Sequence, residues 1–432
     1  MYWNPGAERT PVEELKNIQE RKLKALIYTA YEYSPFYRRK FKEAGINPWD
    51  IDGLRDLKKL PFTKKADLRD NYPFGMFAMP ISQIVRFHAS SGTTGKPTLV
   101  GYTENDIDVW VESMCRSLTA CGVERRDVIQ ISYGYGLFTG GLGFHYAAER
   151  LGATVLPTSA GNTQRQIELM RDLKSTVFAC TPSYMLYLAE YASKIGMSIQ
   201  DDTDLRMGIF GAEPWSEESR KRIENKTGID AFDVYGTSEL SGPLFTECTE
   251  KNGIHIWADH FIAEIVDEEG EPVGEGEKGE LVVTTISKEA MPLIRWKTGD
   301  ITILEGEKCA CGRTHPRIMR ILGRADDMLI VRGVNVFPSQ IEHVLMQIPE
   351  AGDHYMIILD RAQDGLDVMT VQVEVREEAF SDKVSDILNL ERKIMNELKS
   401  VLNVTAKVEV VNPGTLQRFE GKAKRVIDNR KI

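Results

Sequence analysis

What this sequence lacks excludes several kinds of protein at once. It has no uninterrupted apolar run long enough to span a bilayer; the nearest approach, residues 133–148, is short, glycine-rich and interrupted by His145. The N-terminus, MYWNPGAERTPVEE, has no apolar signal core. With 6 cysteines in 432 residues, it lacks the density of a disulfide framework. It also lacks a basic excess: 54 Lys and Arg stand against 64 Asp and Glu, a formal charge of -10. A general nucleic-acid binder needs a basic face to replace counterions, so that class is disfavoured. No internal repeat and no low-complexity tract is present. The expectation is a cytoplasmic globular protein with neither a membrane nor a nucleic acid as partner. Anionic small ligands stay open, because glycine loops and helix ends hold phosphate locally whatever the global charge.

What is present divides the chain. Its length is too great for one compact core, and we expect residues 1–325 and 326–432 to form separate domains. Thr10, Pro11 and Glu13 read as a helix start, with a capping hydroxyl, a first-turn proline and a glutamate placed to cap back. Residues 1–80 look mainly helical, with aromatic clusters at 28–37 and 72–77 assigned to packing. Over 84–235, β-rich runs at 127–132, 153–157, 176–181, 205–211 and 229–234 alternate with helical patterns such as 163–173 and 182–194. That alternation predicts an α/β fold with a parallel sheet. Over 245–320 the pattern is strands only, 261–266 and 279–286 among them, which predicts an antiparallel β subdomain. After residue 326 comes a small α+β unit: a helix near 338, strands at 355–360 and 368–375, a helix over 380–402 and a strand at 407–411.

The densest chemical signal lies at Ser90, Ser91, Gly92, Thr93, Thr94, Gly95, Lys96, Pro97 and Thr98. Glycines let backbone amides converge on a phosphate, hydroxyls add donors and Lys96 adds charge. The spacing is not that of a Walker loop, and Pro97 stands where that loop has its magnesium-binding hydroxyl. The same composition also makes ordinary surface turns. The strand-like run at 84–88 leading into it favours the phosphate cradle.

Four further motifs follow in order: Tyr235-Gly236-Thr237-Ser238-Glu239, Lys297-Thr298-Gly299-Asp300, Gly323-Arg324-Ala325-Asp326-Asp327 with Arg332-Gly333-Val334-Asn335, and Gly421-Lys422-Ala423-Lys424-Arg425. With the loop at 90–98 they make the chain resemble the adenylate-forming superfamily over essentially its whole length. The stretches at 133–143, 211–215, 335–340 and 426–429 resemble the phenylacetate–CoA ligase branch. Two stretches depart from the wider pattern: Trp296-Lys297 before Thr298, and the idiosyncratic residues 416–420 before Gly421.

The resemblance implies ATP-dependent formation of an acyl-adenylate followed by transfer of the acyl group to coenzyme A, with a mobile C-terminal lid over a larger domain. It implies that Ser90 to Lys96 hold the β- and γ-phosphates. Tyr235 would pack on adenine, with Gly211, Ala212 and Glu213 as another wall and Asp233 and Gly236 nearby. Thr237 would reach the α-phosphate, Glu239 bind Mg2+, and Asp300, assisted by Arg324, accept the ribose hydroxyls. Lys422 would stabilise the charge that develops during adenylation. Asp326 would be the hinge that exchanges Lys422 for the loop of Arg332, Gly333, Val334 and Asn335. The resemblance also suggests a homodimer.

For the acyl group the candidates are Tyr133, Tyr135, Phe138 and Ala147, which serve equally well as core residues. No charged partner for a second substrate charge is evident, so a neutral aryl acetate fits better than an amino acid. Cys309-Ala310-Cys311 with Cys248 and His255 can furnish the four ligands of a structural zinc site; His315 is a substitute ligand, and buried free thiols are the alternative. Cys115, Cys121 and Cys180 fall in core patterns, and His88, His145 and His260 have no evident partners. Two rival functions stand beside the CoA ligase: an adenylating enzyme that serves a carrier protein, and a non-catalytic zinc-containing binding module.

Overall fold

The computed structural model describes residues 1–90, 98–325, 327–332, 334–362, 366–379 and 383–430. The phosphate-loop residues Ser91 to Pro97, the hinge candidate Asp326 and Gly333 therefore lie outside the described residues.

The first long helix, Val12–Tyr33, buries Leu15, Leu23, Leu26, Ile27 and Ala30, a stripe at helical spacing. Its start differs from the expected capping box. Pro11 occupies the cap position, and the Thr10 hydroxyl donates to the Gly6 carbonyl (2.9 Å) instead of capping the helix. Of the aromatic clusters, Phe36, Tyr37 and Phe77 enter the core, whereas Tyr28, Tyr33, Tyr72 and Phe74 remain exposed.

The central sheet runs Thr154–Leu156, Val128–Ile131, Val177–Cys180, Met207–Gly211, Asp230–Tyr235 in parallel, closed by the antiparallel strand Phe245–Thr246. Val177–Cys180 and Met207–Gly211 are wholly buried, as strands covered on both faces require. Helices Gly140–Leu151, Thr163–Asp172, Pro182–Lys194 and Glu217–Thr227 cross between the strands. Each predicted strand and crossover helix is present within a few residues of its expected bounds. Gly211 and Tyr235 end neighbouring strands, so both stand at the carboxyl edge of the sheet, where open α/β folds place their ligands.

The strand-only segment forms the expected antiparallel sheet, led by Phe261–Val266, Lys278–Thr285 and Trp296–Glu305. The short strand Gly323–Arg324 pairs with it beside Asp300. Beyond it a second hydrophobic core gathers Leu329, Ile341, Ile357, Val371, Ile394 and their neighbours. It lies between the sheet Lys407–Val411, Asp367–Val375, Ala351–Arg361, Val426–Asp428 and the helices Pro338–Gln347 and Val384–Leu402. Among the described residues, no helix is long and apolar enough to cross a membrane.

Candidate active site

Close packing builds the edge of the sheet into a cleft. A Cβ at Gly211 would meet the Val234 carbonyl at 2.2 Å, and one at Gly236 would meet the Gly242 carbonyl at 1.7 Å, so both positions require glycine. The backbone then turns tightly: the Thr237 carbonyl accepts from the amides of Leu240, Ser241 and Gly242. Glu239, buried, sits in that turn. The turn is held from beneath by Tyr102, whose hydroxyl donates to the Ser238 carbonyl (3.1 Å), and by Lys288, whose Nζ donates to the Glu239 carbonyl (2.6 Å). Burial lowers the Lys288 ammonium to about 8, against the pull of the Asp106 and Glu239 charges. Neither support had a sequence signal, because an isolated lysine or tyrosine reads as surface or core.

Two motifs distant in sequence meet here. The Tyr235 hydroxyl donates to Asp300 Oδ2 (2.7 Å) and Arg324 Nη1 donates to Asp300 Oδ1 (2.8 Å), all at buried or half-buried positions. The face of Tyr235 stacks on Phe245, with ring planes 12° apart. Asp233 sits behind. Burial pushes its carboxyl up; Arg320 opposes that rise and the neighbouring Glu247 charge adds to it. The cleft is lined by Ala212, Glu213, Asp233, Tyr235, Gly236, Thr237, Asp300, Arg324 and, from the C-terminal part, Lys422. Ala212, Glu213 and Lys422 thus meet the Tyr235 and Asp300 motifs in one place.

The remaining candidates are placed as follows. Ser90 ends the strand Arg86–Ser90, which pairs with Thr98–Tyr102, so the phosphate-loop candidates join two adjacent strands. Arg332 and Asn335 are exposed on the hairpin that joins Leu329–Val331 to Val334–Val336. Tyr133 and Ala147 are buried in the main core, Tyr133 stacked on Phe144 with its hydroxyl on the Cys180 carbonyl. Tyr135 packs against that core and Phe138 is exposed. None of these four lines the cleft.

The cysteine candidates do converge. Cys248, His255, Cys309 and Cys311 bring their ligand atoms within 4.8 Å of one another. Cys248 Sγ lies 3.7 Å from Cys309 Sγ, and Cys311 Sγ lies 3.5 Å from His255 Nε2. Tetrahedral zinc with bonds of about 2.3 Å to sulfur sets its sulfurs ~3.7 Å apart, so the spacing fits. His315 is not a substitute ligand: its Nδ1 accepts from the Ala258 amide and its Nε2 donates to the Ala7 carbonyl. The same knuckle anchors the N-terminus through Tyr2 on the Cys311 carbonyl (2.7 Å) and a buried Arg313–Glu8 pair (2.7 Å). Cys115, Cys121 and Cys180 are buried, as expected. The three histidines do have partners: His88 the Leu137 carbonyl, His145 Glu149 and Tyr135, and His260 Ser287.

The two parts of the chain are docked tightly. Arg222, buried, reaches the Met346 carbonyl (2.7 Å) and Asp353 (2.6 Å) across the boundary, and Ser219 donates to Glu342 (2.6 Å).

The model of the AMP-binding enzyme family matches residues 50–287, and that of the AMP-binding enzyme C-terminal domain matches residues 333–430. The chain belongs to this family. Within it the chain falls in the phenylacetate–CoA ligase branch of the adenylate-forming superfamily. It is 48% identical to the phenylacetate–coenzyme A ligase of Thermus thermophilus over 100% of both chains. It is likewise 48% identical to that of Escherichia coli, over 98% of this chain and 97% of that one. A solved 2-hydroxyisobutyryl-CoA ligase in its postadenylation state, 30% identical, superposes with a TM-score of 0.93 over 99% of this chain and 92% of that chain. The same ligase in its thioesterification state, with CoA, is 31% identical and superposes at 0.73 over 100% of this chain and 93% of that chain. The arrangement of the two parts is thus more similar to that of the postadenylation structure than to that of the thioesterification structure.

Proposed function

We propose that this protein is an AMP-forming acid–CoA ligase that activates phenylacetate or a close aryl acid as the acyl-adenylate and transfers the acyl group to coenzyme A. The observation that carries this reading is the convergence of Tyr235, Thr237, Asp300 and Lys422 on one cleft from two separately cored parts of the chain. The full-length similarity to phenylacetate–CoA ligases supports the choice of acid and of CoA.

In this reading Asp300, oriented by Tyr235 and Arg324, is the carboxylate that accepts the ribose hydroxyls. The Tyr235 ring bounds the adenine with Gly211, Ala212, Glu213 and Asp233 around it. Thr237 faces the α-phosphate. The carboxylate attacks that phosphorus and pyrophosphate leaves. Both reactants are anions, so Lys422 lowers the barrier by neutralising charge that grows as they meet. Glu239, fixed in its turn by Lys288, is the group that would hold Mg2+, which would neutralise the triphosphate. Residues 90–98 would cradle the β- and γ-phosphates. After adenylation, rotation about Asp326 would withdraw Lys422 and bring up Arg332, Gly333, Val334 and Asn335 for attack by the thiol. Tyr133, Tyr135, Phe138 and Ala147 remain the candidates for the wall against the aryl ring. Cys248, His255, Cys309 and Cys311 would hold a structural zinc ion, with four protein ligands and no open position for chemistry. A cytoplasmic location belongs to the same proposal.

The test is ATP–pyrophosphate exchange driven by a panel of carboxylic acids. Phenylacetate is expected to drive exchange most strongly; no exchange with any aryl or alkyl acid would contradict the reading.

A further inference from the structure

Glu213 was expected only as a wall of the adenine pocket, yet its carboxylate is spent elsewhere. Oε1 accepts the Ser183 amide (2.9 Å), in the first turn of the helix Pro182–Lys194. Oε2 accepts the Ala423 amide (2.9 Å), the peptide that follows Lys422. Its own backbone continues from Gly211 and Ala212, and Ala212 is held at a φ of 69°, in the left-handed region. One half-buried side chain thus joins the cleft wall, a helix start and the lysine-bearing segment. Two neighbouring contacts place the same segment: Thr181 Oγ1 donates to the Gly421 carbonyl (3.3 Å), and Thr163 Oγ1 donates to Glu420 Oε1 (3.0 Å). The side chain of Lys422 itself is exposed, so its position is set by its backbone neighbours.

We infer that Glu213, beyond its place in the cleft wall, is a positioning residue that seats Lys422 for the first half-reaction, a seating the second does not use. The inference rests on the ligase reading above. A carboxylate can accept both amides at once. A glutamine can accept only one, because its NH2 group would face the other N–H. In an arrangement that withdraws Lys422 the Ala423 bond cannot persist, so only adenylation depends on it.

The experiment measures two rates in the full-length protein: phenylacetate-dependent ATP–pyrophosphate exchange, and thioester formation from CoA and synthetic phenylacetyl-adenylate. Glu213→Gln should lower exchange roughly 10- to 100-fold, the scale set by displacing a catalytic group by about an ångström. Thioester formation should fall several-fold less than exchange, because that step keeps the cleft wall but makes no use of the Ala423 bond. Ala423→Pro removes the same bond from the other side, at a half-buried coil position of the small domain, and should reproduce the split. The double variant should be no worse than either single one. Unchanged exchange, or equal loss in both steps, in both variants would overturn the dock while leaving the ligase reading standing. Absence of phenylacetate-dependent exchange in the wild type would overturn the ligase reading and this inference with it.

Discussion

The two walls of the cleft are built in different ways. On the nucleotide side, Tyr235 and Asp300 are buried, bonded side chain to side chain, and fixed to strands of the main core; Arg324 joins them half-buried. On the lysine side, Lys422 is exposed on a segment attached by a few hydrogen bonds to its neighbours' backbone atoms, on a domain with its own core. The first wall cannot move without disrupting the core. The second can leave by breaking polar contacts between two parts that each keep their own core. A ligase with two half-reactions needs that asymmetry: one nucleotide site, and two visitors in turn.

The comparison can be broken at several points. Lys422→Ala should lower phenylacetate-dependent exchange by about 10²- to 10³-fold, the scale of losing one electrostatic group at a transition state, and spare thioester formation from the adenylate. Asp300→Ala strikes the fixed wall, which serves both steps, and should lower both half-reactions by on the order of tenfold through weaker nucleotide binding, read as a raised KM for ATP. Arg222→Ala removes one of the two cations paired with buried Asp353, Lys226 being the other, so the loss should fall below the ~3–5 kcal/mol of breaking a buried pair outright. Here it should loosen docking, lower exchange several-fold and expand the protein in small-angle scattering, without unfolding either core.

That latch also has a pH signature. Burial would push the Asp353 carboxyl up, but the charges of Lys226 and Arg222 override it and hold it at about 2, below the ordinary 3.8. Its stabilisation is therefore present above pH 3.8 and is lost as the pH falls through about 2. The smallest kinetic effect should come from Cys309→Ser. In the proposed zinc site Cys309 would be one of four protein ligands, none of which lines the cleft, so the melting temperature should fall by on the order of 5 °C with both half-reactions nearly unchanged.

Much of this was legible in the sequence because it is local or ordered along the chain. The strands Phe261–Val266 and Lys407–Val411 and the helix Pro182–Lys194 have the bounds read from hydrophobic pattern alone. The four cysteine and histidine candidates were named from residue chemistry and the proximity of two pairs, and the structure brings them together. What was not legible depends on hydrogen-bond partners chosen only in the folded chain, near or remote in sequence. Thr10 looked like a cap, but a nearby carbonyl at Gly6 took its hydroxyl. His315 looked like a spare ligand, but both its nitrogens serve backbone groups, one of them in the N-terminal segment. Glu213 was read as a wall of the adenine pocket, while its carboxylate answers to residue 423, 210 positions away. Pattern gives the elements; such cross-chain hydrogen bonds are set only once the elements pack.

The most direct measurement is product analysis of the purified protein with phenylacetate, ATP and CoA by mass spectrometry. The account predicts phenylacetyl-CoA, AMP and pyrophosphate in equal amounts. Accumulation of phenylacetyl-adenylate with no thioester, at saturating CoA, would contradict it and point to a carrier protein as the true acceptor.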